Sequence, residues 1–261
     1  MKPYSGPASD HFDGEHFFDP DGVPPKSLRE VLRWQFGSDR KRVAWPAWVP
    51  SPHADTPPAR VNGEKARLSF VGHASWLIQT AGLNILVDPV WSMRASPVGW
   101  GGPKRHNDPG IAFDALPPID VVLVSHGHYD HLDIATLSKL AAKFSPRVIT
   151  PLGNDVTMRS ADDAIRAEAF DWHDRIELGD RVAVTLVPTR HWSARGLFDR
   201  NKALWRASCW RLQRARSTSS AIPATARASI SAVLLRRMRR CGSRSCRSAP
   251  MSRAGSCATS T

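Results

Sequence analysis

A layered α/β domain is what this sequence predicts, on three observations. Short apolar runs of strand length recur between segments of helical spacing from Arg67 to Val187. One run, Val121 to Val124, is apolar at four consecutive positions and reads as a short buried strand bounded by polar residues. After residue 206 the alternation stops and the composition changes to Arg, Ser, Ala, Thr and Cys. The expected organisation is an arm, short helix and Pro-rich linker over 1–60, the α/β domain over 61–206, and an aberrant basic, disordered tail over 207–261.

In chain order, residues 1–25 are rich in Gly, Pro, Asp and His, as an extended arm is, with His11 and His16 expected at the surface. Lys26 to Phe36 places Leu28, Val31, Leu32 and Phe36 at helical spacing beside Arg29 and Arg33. A helix packed on the domain is the simpler reading; a basic helix at a lipid surface, aided by Trp45 and Trp48, is the sharper one. Residues 46–60 hold five prolines and read as a linker. Leu68–Val71, Trp76–Gln79 and Asn84–Val87 are β-type runs separated by Gly72-His73 and Ala81-Gly82. Residues 91–110 form a Gly- and Pro-rich loop suited to rim a site. Ile134–Phe144 is an amphipathic helix, Val148–Thr150 a strand, Asn154–Ser160 a short helix and Arg181–Val187 a further strand. His53, His106 and His173 read as surface residues.

Charge and cysteine usage narrow the function classes. The 261 residues carry 36 Lys+Arg against 24 Asp+Glu, a formal net charge of +12. Thirteen of the basic residues and none of the acidic ones lie in 201–261, leaving 23 against 24, or −1, for the first 200 residues. The basicity belongs to the tail, so no specific nucleic-acid partner is expected of the body. All four cysteines, Cys209, Cys241, Cys246 and Cys257, lie there too. A cysteine-free body without a signal core or a run of transmembrane length predicts a cytoplasmic protein, with peripheral contact at the inner membrane face as its membrane role.

Directly off Val121–Val124 come three histidines and two carboxylates within eight residues, in Ser125-His126-Gly-His128-Tyr-Asp130-His131-Leu-Asp133. H-x-H puts two imidazoles on one side of an extended segment. Asp130 and His131 follow in the turn before a helix and approach the same point from another direction. Neutral imidazole and carboxylate are the donors that zinc and similar divalent ions take. A solvated polar loop is the bland alternative, disfavoured because ionisable groups this dense at a strand end need a compensating ion. Asp88, ending the third β-run, either orients a ligating imidazole or caps an Asp-Pro turn. His73 lies near the site or is a satisfied structural histidine. His191, in Pro188-Thr-Arg-His191, is an isolated histidine ending a strand.

H-x-H-x-D-H after an apolar strand resembles the metallo-β-lactamase superfamily. Phe70-Val-Gly-His73-Ala-Ser, Leu86-Val-Asp88-Pro-Val-Trp91, Gly102-Pro-Lys-Arg105, Leu116-Pro-Pro-Ile-Asp120 and Pro188-Thr-Arg-His191-Trp-Ser resemble the branch that includes N-acyl-phosphatidylethanolamine-hydrolysing phospholipase D. The resemblance runs from about Ser9 to Trp205. It implies an αβ/βα sandwich whose first half is present and whose second half gives way to a non-family tail. It implies one metal held by His126, His128 and His191, and a second held by Asp130, His131 and a further histidine, with an aspartate bridging the two. Those last two donors should follow residue 205, yet no Asp, Glu or His occurs after Asp199. Two zinc ions are therefore implied for intact relatives and one for this chain. The implied activity is zinc-dependent hydrolysis of a phosphodiester such as N-acyl-phosphatidylethanolamine, with Asp130 ligating a metal and orienting the nucleophile. A phospholipid or other small ester is the implied partner. Hydrolysis of another ester, thioester or lactone is the alternative, as is a non-catalytic metal-binding remnant.

The tail reads either as a basic disordered segment or as the product of a one-base slip in the gene. Ser217–Ala226 can be encoded so that the frame one base earlier gives Ile-Tyr-Phe-Ile-Gly-Asp-Ser-Gly-Tyr-Gly, an apolar strand ending in a bridging-aspartate-like motif. Arg206–Arg211 can likewise give Gly-Phe-Val-Leu-Glu. We therefore predict a missing or extra base near codons 205–207. Resequencing the gene from fresh genomic DNA checks this; a reading incompatible with that decoding sinks the slip and leaves the tail as written.

Overall fold

The computed structural model describes residues 3–22, 28–37, 46–51, 55–196, 198–212 and 228–229. Their elements are α1 (Leu28–Phe36), β1 (Ala66–Gly72), β2 (Ser75–Thr80), β3 (Leu83–Val87), a 3-10 turn at Phe113–Ala115, β4 (Val121–Leu123), α2 (Ile134–Phe144), β5 (Arg147–Pro151), α3 (Asn154–Ala161), β6 (Ala167–Phe170), β7 (Arg175–Gly179), β8 (Val182–Val187), β9 (Ala207–Leu212) and β10 (Ala228–Ser229). The first sheet runs β1-β2-β3-β4-β5-β6, antiparallel through β3 and parallel thereafter. The second runs β10-β9-β8-β7 and is antiparallel throughout.

Period-two alternation explains why Val121 to Val124 is apolar at every position. Val122 and Val124 pack with Leu77, Leu86 and Val148 against Leu137, Leu140 and Met158 of α2 and α3. Val121 and Leu123 point the other way, with Ile78, Ile85 and Ile149, onto Ile176, Val182, Val184 and Leu186 of the second sheet. The first sheet is thus covered on both faces, by helices on one and by a sheet on the other, and its central strand has no solvated side to carry polar residues.

The described parts of the 46–60 stretch, 46–51 and 55–60, are tied to the domain rather than free. Buried Gln79 donates to the Pro58 carbonyl (2.7 Å), buried Asn84 donates to that of Ala59 (2.9 Å), and Val49 N–H donates to His106 O (2.6 Å). Arg60 pairs with Asp120. The N-terminal arm is equally fixed: Phe12 and Phe17 bury themselves with Trp172, Leu204 and Trp205 in a third core cluster. His11, expected at the surface, is buried there, stacked on Trp172 at 4.7 Å with Nε2 2.8 Å from Asp171 Oδ1. Trp172 and Asp171 are remote in sequence, which is why local composition misplaced it.

Helix α1 is present, but Leu32 and Phe36 are exposed, Phe36 at 77%, so these two side chains do not pack on the domain. The side chains of Leu28 and Val31, and all of Trp45 and His53, lie outside the described residues. Among the described residues no helix is long and apolar enough to cross a membrane. Strands β6 and β7 escaped the sequence reading because they are only four and five residues long and carry few bulky apolar residues, as in Ala167-Glu-Ala-Phe and Arg175-Ile-Glu-Leu-Gly. Ala207–Leu212, assigned above to the tail, forms β9 and pairs with β8 at all six positions. Backbone ladder bonds form whatever side chains the strand bears, so a stretch of odd composition can still extend the sheet. The rest of the predicted tail, Ala228–Ser229 apart, lies outside the described residues.

Asp133 shows how tightly the region after β4 is built. Its buried side chain caps α2 at Thr136 N–H and Oγ1 and accepts from Ser92 N–H (2.9 Å) and Ser92 Oγ (2.8 Å). It is thus a structural carboxylate, not a ligand. Asp133→Ala is expected to cost about 1–3 kcal/mol, the loss of a cap plus unpaired buried donors. Thermal denaturation checks this; an unchanged midpoint would remove Asp133 from the list of supports.

Candidate metal centre

Strand β4 ends at Leu123, and Ser125-His126-Gly-His128 follows it directly. One strand-end carboxylate and one serine set the geometry. Asp88, just past β3, is buried at a positive φ of 41°, a strained conformation for a non-glycine residue. Its Oδ1 accepts from Ser125 N–H (2.7 Å) and its Oδ2 from Ser125 Oγ (2.7 Å), while His131 Nδ1 lies 2.8 Å from the same Oδ2. Asp88 thus fixes which face His131 turns to the site, leaving Nε2 free toward Asp130 Oδ2 at 3.7 Å. Asp88 thus contacts the imidazole of His131 as well as the Ser125 turn.

His126, His128 and His191 converge from two elements. His126 Nε2 stands 2.8 Å from His128 Nδ1 and 2.9 Å from His191 Nε2. A neutral imidazole nitrogen has one lone pair or one proton, so this atom cannot satisfy both neighbours. His128 Nε2 is buried with no partner at all. Orphaned ring nitrogens facing one another are what a divalent cation relieves, and the donor set fits one. A second group, His73, Asp130 and His131, abuts the first; within each triad the donor atoms lie within 4.8 Å of one another. His73 Nε2 is 2.8 Å from Asp130 Oδ2.

The electrostatics point the same way. Burial, then the charges of His131, His191 and His128, drive His126 down to about 2. Burial and His191 drive His128 to about 4. His191 moves in the same direction, through burial and His131. The hydrogen bond from His73 and the charge of His131 hold Asp130 well below the usual carboxylate range against burial. Burial pushes His131 down, but the Asp88 hydrogen bond and charge outweigh it and leave it raised. At neutral pH three imidazoles are therefore neutral and Asp130 is ionised, the forms that ligate metals.

Loop 191–206 is held to the motif by residues that the sequence did not single out. Gly127 N–H donates to Ser193 Oγ (3.0 Å), and half-buried Arg195 donates from Nη1 to Gly127 O (2.9 Å) and Leu132 O (2.8 Å) while lying 4.0 Å over the Tyr129 ring. No local pattern marks them, because their partners are more than 60 residues away. Arg206, at the composition break, is buried beside Asp88 with Nε unpartnered, and burial lowers its pKa to about 10. Two clefts flank the cluster. One, of about 560 Å³, lies between His128, Asp130 and the rim loop with Met93, Lys104 and Arg105; the other, of about 750 Å³, is lined by Phe70, Trp76, Val87, His131 and His191. The 91–110 loop thus rims the site as expected, and exposed His106 lies on it.

A cluster of His and Asp donors that could hold metal, at the strand ends of a two-sheet, helix-flanked domain, points to a class of protein. The β-lactamase superfamily domain matches residues 83–241, and the chain belongs to that superfamily. An uncharacterised protein of Mycobacterium tuberculosis is 37% identical over 181 residues, 68% of this chain and 48% of its own length. N-acyl-phosphatidylethanolamine-hydrolyzing phospholipase D 1 of Caenorhabditis elegans is 33% identical over 146 residues, 52% of this chain and 41% of that protein. A metal-dependent hydrolase of Anaeromyxobacter is 32% identical over 132 residues, 49% of this chain and 43% of that protein. The chain thus matches about half of each relative's length or less.

The sign of the pH dependence follows from the histidine shifts. Unfolded, His126 and His128 take protons near pH 6.5; folded, they refuse them until about 2 and about 4. The unfolded state binds more protons between those limits, so metal-free protein loses stability as pH falls from about 6.5 toward about 4. Raised His131 acts oppositely, and its contribution is lost as pH rises past its folded value. Thermal midpoints of metal-free protein across that range check the sign, and His128→Gln should flatten the slope; a rising midpoint on acidification would refute the neutral cluster.

Proposed function

We propose that the site is that of a metal-dependent hydrolase acting on phosphodiesters of the N-acyl-phosphatidylethanolamine type, with zinc as the metal. The observation carrying this reading is the pair of abutting His/Asp triads at one strand end, between two clefts. The C. elegans relative's name supports the substrate class. So does the rim: Met93, Phe70 and Trp192 are exposed beside the clefts, as acyl chains require, and Lys104 supplies a cation for a phosphate. Exposed Leu32 and Phe36, with Arg29 and Arg33 on the same helix, support peripheral contact with an anionic lipid surface.

Bound ions would supply Lewis acidity and water activation at neutral pH. The chain's residues do the rest. His126, His128 and His191 present neutral nitrogens to one position, and Asp88 keeps the His131 proton on Nδ1 so that Nε2 is the donor. Asp130, ionised and beside His73 in the metal-free site, would ligate an ion at the second position and orient a nucleophile toward phosphorus. Lys104 and the positive rim hold the phosphate oxygens.

The bridging aspartate implied by the family resemblance is absent from the sequence after Asp199, so turnover of this chain should be weak. A gene restored to the alternative frame should give at least ~10²-fold more release of phosphatidate from N-acyl-phosphatidylethanolamine vesicles, and Asp130→Asn should abolish it. Robust phosphodiester turnover by the chain as written would overturn the expected weakness, and turnover only of lactones and carboxylic esters by the restored one would overturn the substrate class.

A further inference from the structure

Resting on the metal-centre reading, we propose that His73 is the third protein ligand of the second ion. With Asp130 and His131 it completes a site drawn from the first sheet and the turn after β4, without any contribution from the tail.

Several observations converge on His73. Its Nε2 lies 2.8 Å from Asp130 Oδ2, its ring centre is 5.4 Å from that of His131, and all three donor atoms fall within 4.8 Å of one another. His131 already has Nδ1 taken by Asp88, so only Nε2 remains for a metal, and it faces the same carboxylate. The backbone supplies an independent sign. His73 sits at φ 51° on the β1–β2 turn, directly after Gly72 at φ 145°. Its side chain is 60% exposed, so burial in the core does not account for its place beside Asp130. Residues 200–261 hold no Asp, Glu or His, so none of them supplies this ligand. His73 also lines both clefts, so an ion beside it would meet substrate from either. Three ligands leave an open position, the arrangement of catalytic rather than structural sites.

The competing role is a hydrogen-bond donor that merely orients Asp130. Metal stoichiometry separates the two without any activity measurement. Metal-free chain titrated with zinc and analysed by elemental mass spectrometry should bind two ions. His73→Asn, which keeps a residue tolerant of the left-handed turn, should bind one at concentrations that fill both in the parent. His191→Ala should lose the other ion. Circular dichroism confirms that each variant is folded. His73→Cys loaded with cobalt(II) should show a thiolate-to-cobalt charge-transfer band if residue 73 touches the ion. Two ions retained in His73→Asn, or no such band in His73→Cys, would overturn the assignment. One ion in the parent, insensitive to residue 73 and lost with His191→Ala, overturns it while sparing the first site. No ion in the parent overturns the metal-centre reading itself.

Discussion

The constraint on which the rest depends is that unprotonated imidazoles must be packed nitrogen to nitrogen at the end of a buried strand. His126 is almost completely buried, and its Nε2 faces two other ring nitrogens at hydrogen-bonding distance without enough protons or lone pairs to satisfy them. Water is excluded from His128 Nε2. The fold tolerates this because everything around it is over-determined: β4 is enclosed on both faces, Asp88 clamps Ser125 and His131, and Arg195 ties the loop after β8 to the motif. An isolated loop would relax by turning the rings to solvent.

Strain is concentrated in the same place. Two of the described non-glycine residues at positive φ, His73 and Asp88, touch the cluster. Each trades a favourable backbone for a side-chain position that no relaxed turn would supply. The carboxylates divide their labour by environment. Asp88 and Asp133, buried among N–H and O–H donors, hold other groups in place; half-exposed Asp130 faces the clefts and is left available to an ion and to substrate.

The second sheet shows how far backbone pairing can proceed without cooperation from side chains. β8 offers a complete edge, and β9 pairs along it despite a composition unlike that of the other strands. Arg206 shows the corresponding penalty. It is a buried guanidinium with one nitrogen unpaired, next to a site meant to hold cations, and such a charge is expensive unless fully partnered.

What the sequence determined by itself was the strand and the ligand-bearing turn after it. The unbroken run Val121–Val124 and the spacing of His126, His128, Asp130 and His131 follow from strand periodicity, which needs no tertiary information. The amphipathic pattern of α2 was equally plain. Tertiary structure alone decided the rest. It made Asp133 a cap, buried His11 under Trp172, brought His191 across 65 residues to His126, and turned His73 from a turn residue into a neighbour of Asp130. Those roles depend on contacts between segments remote in sequence. Local spacing does not encode such contacts, because they arise only when two sheets and their loops are folded onto one another.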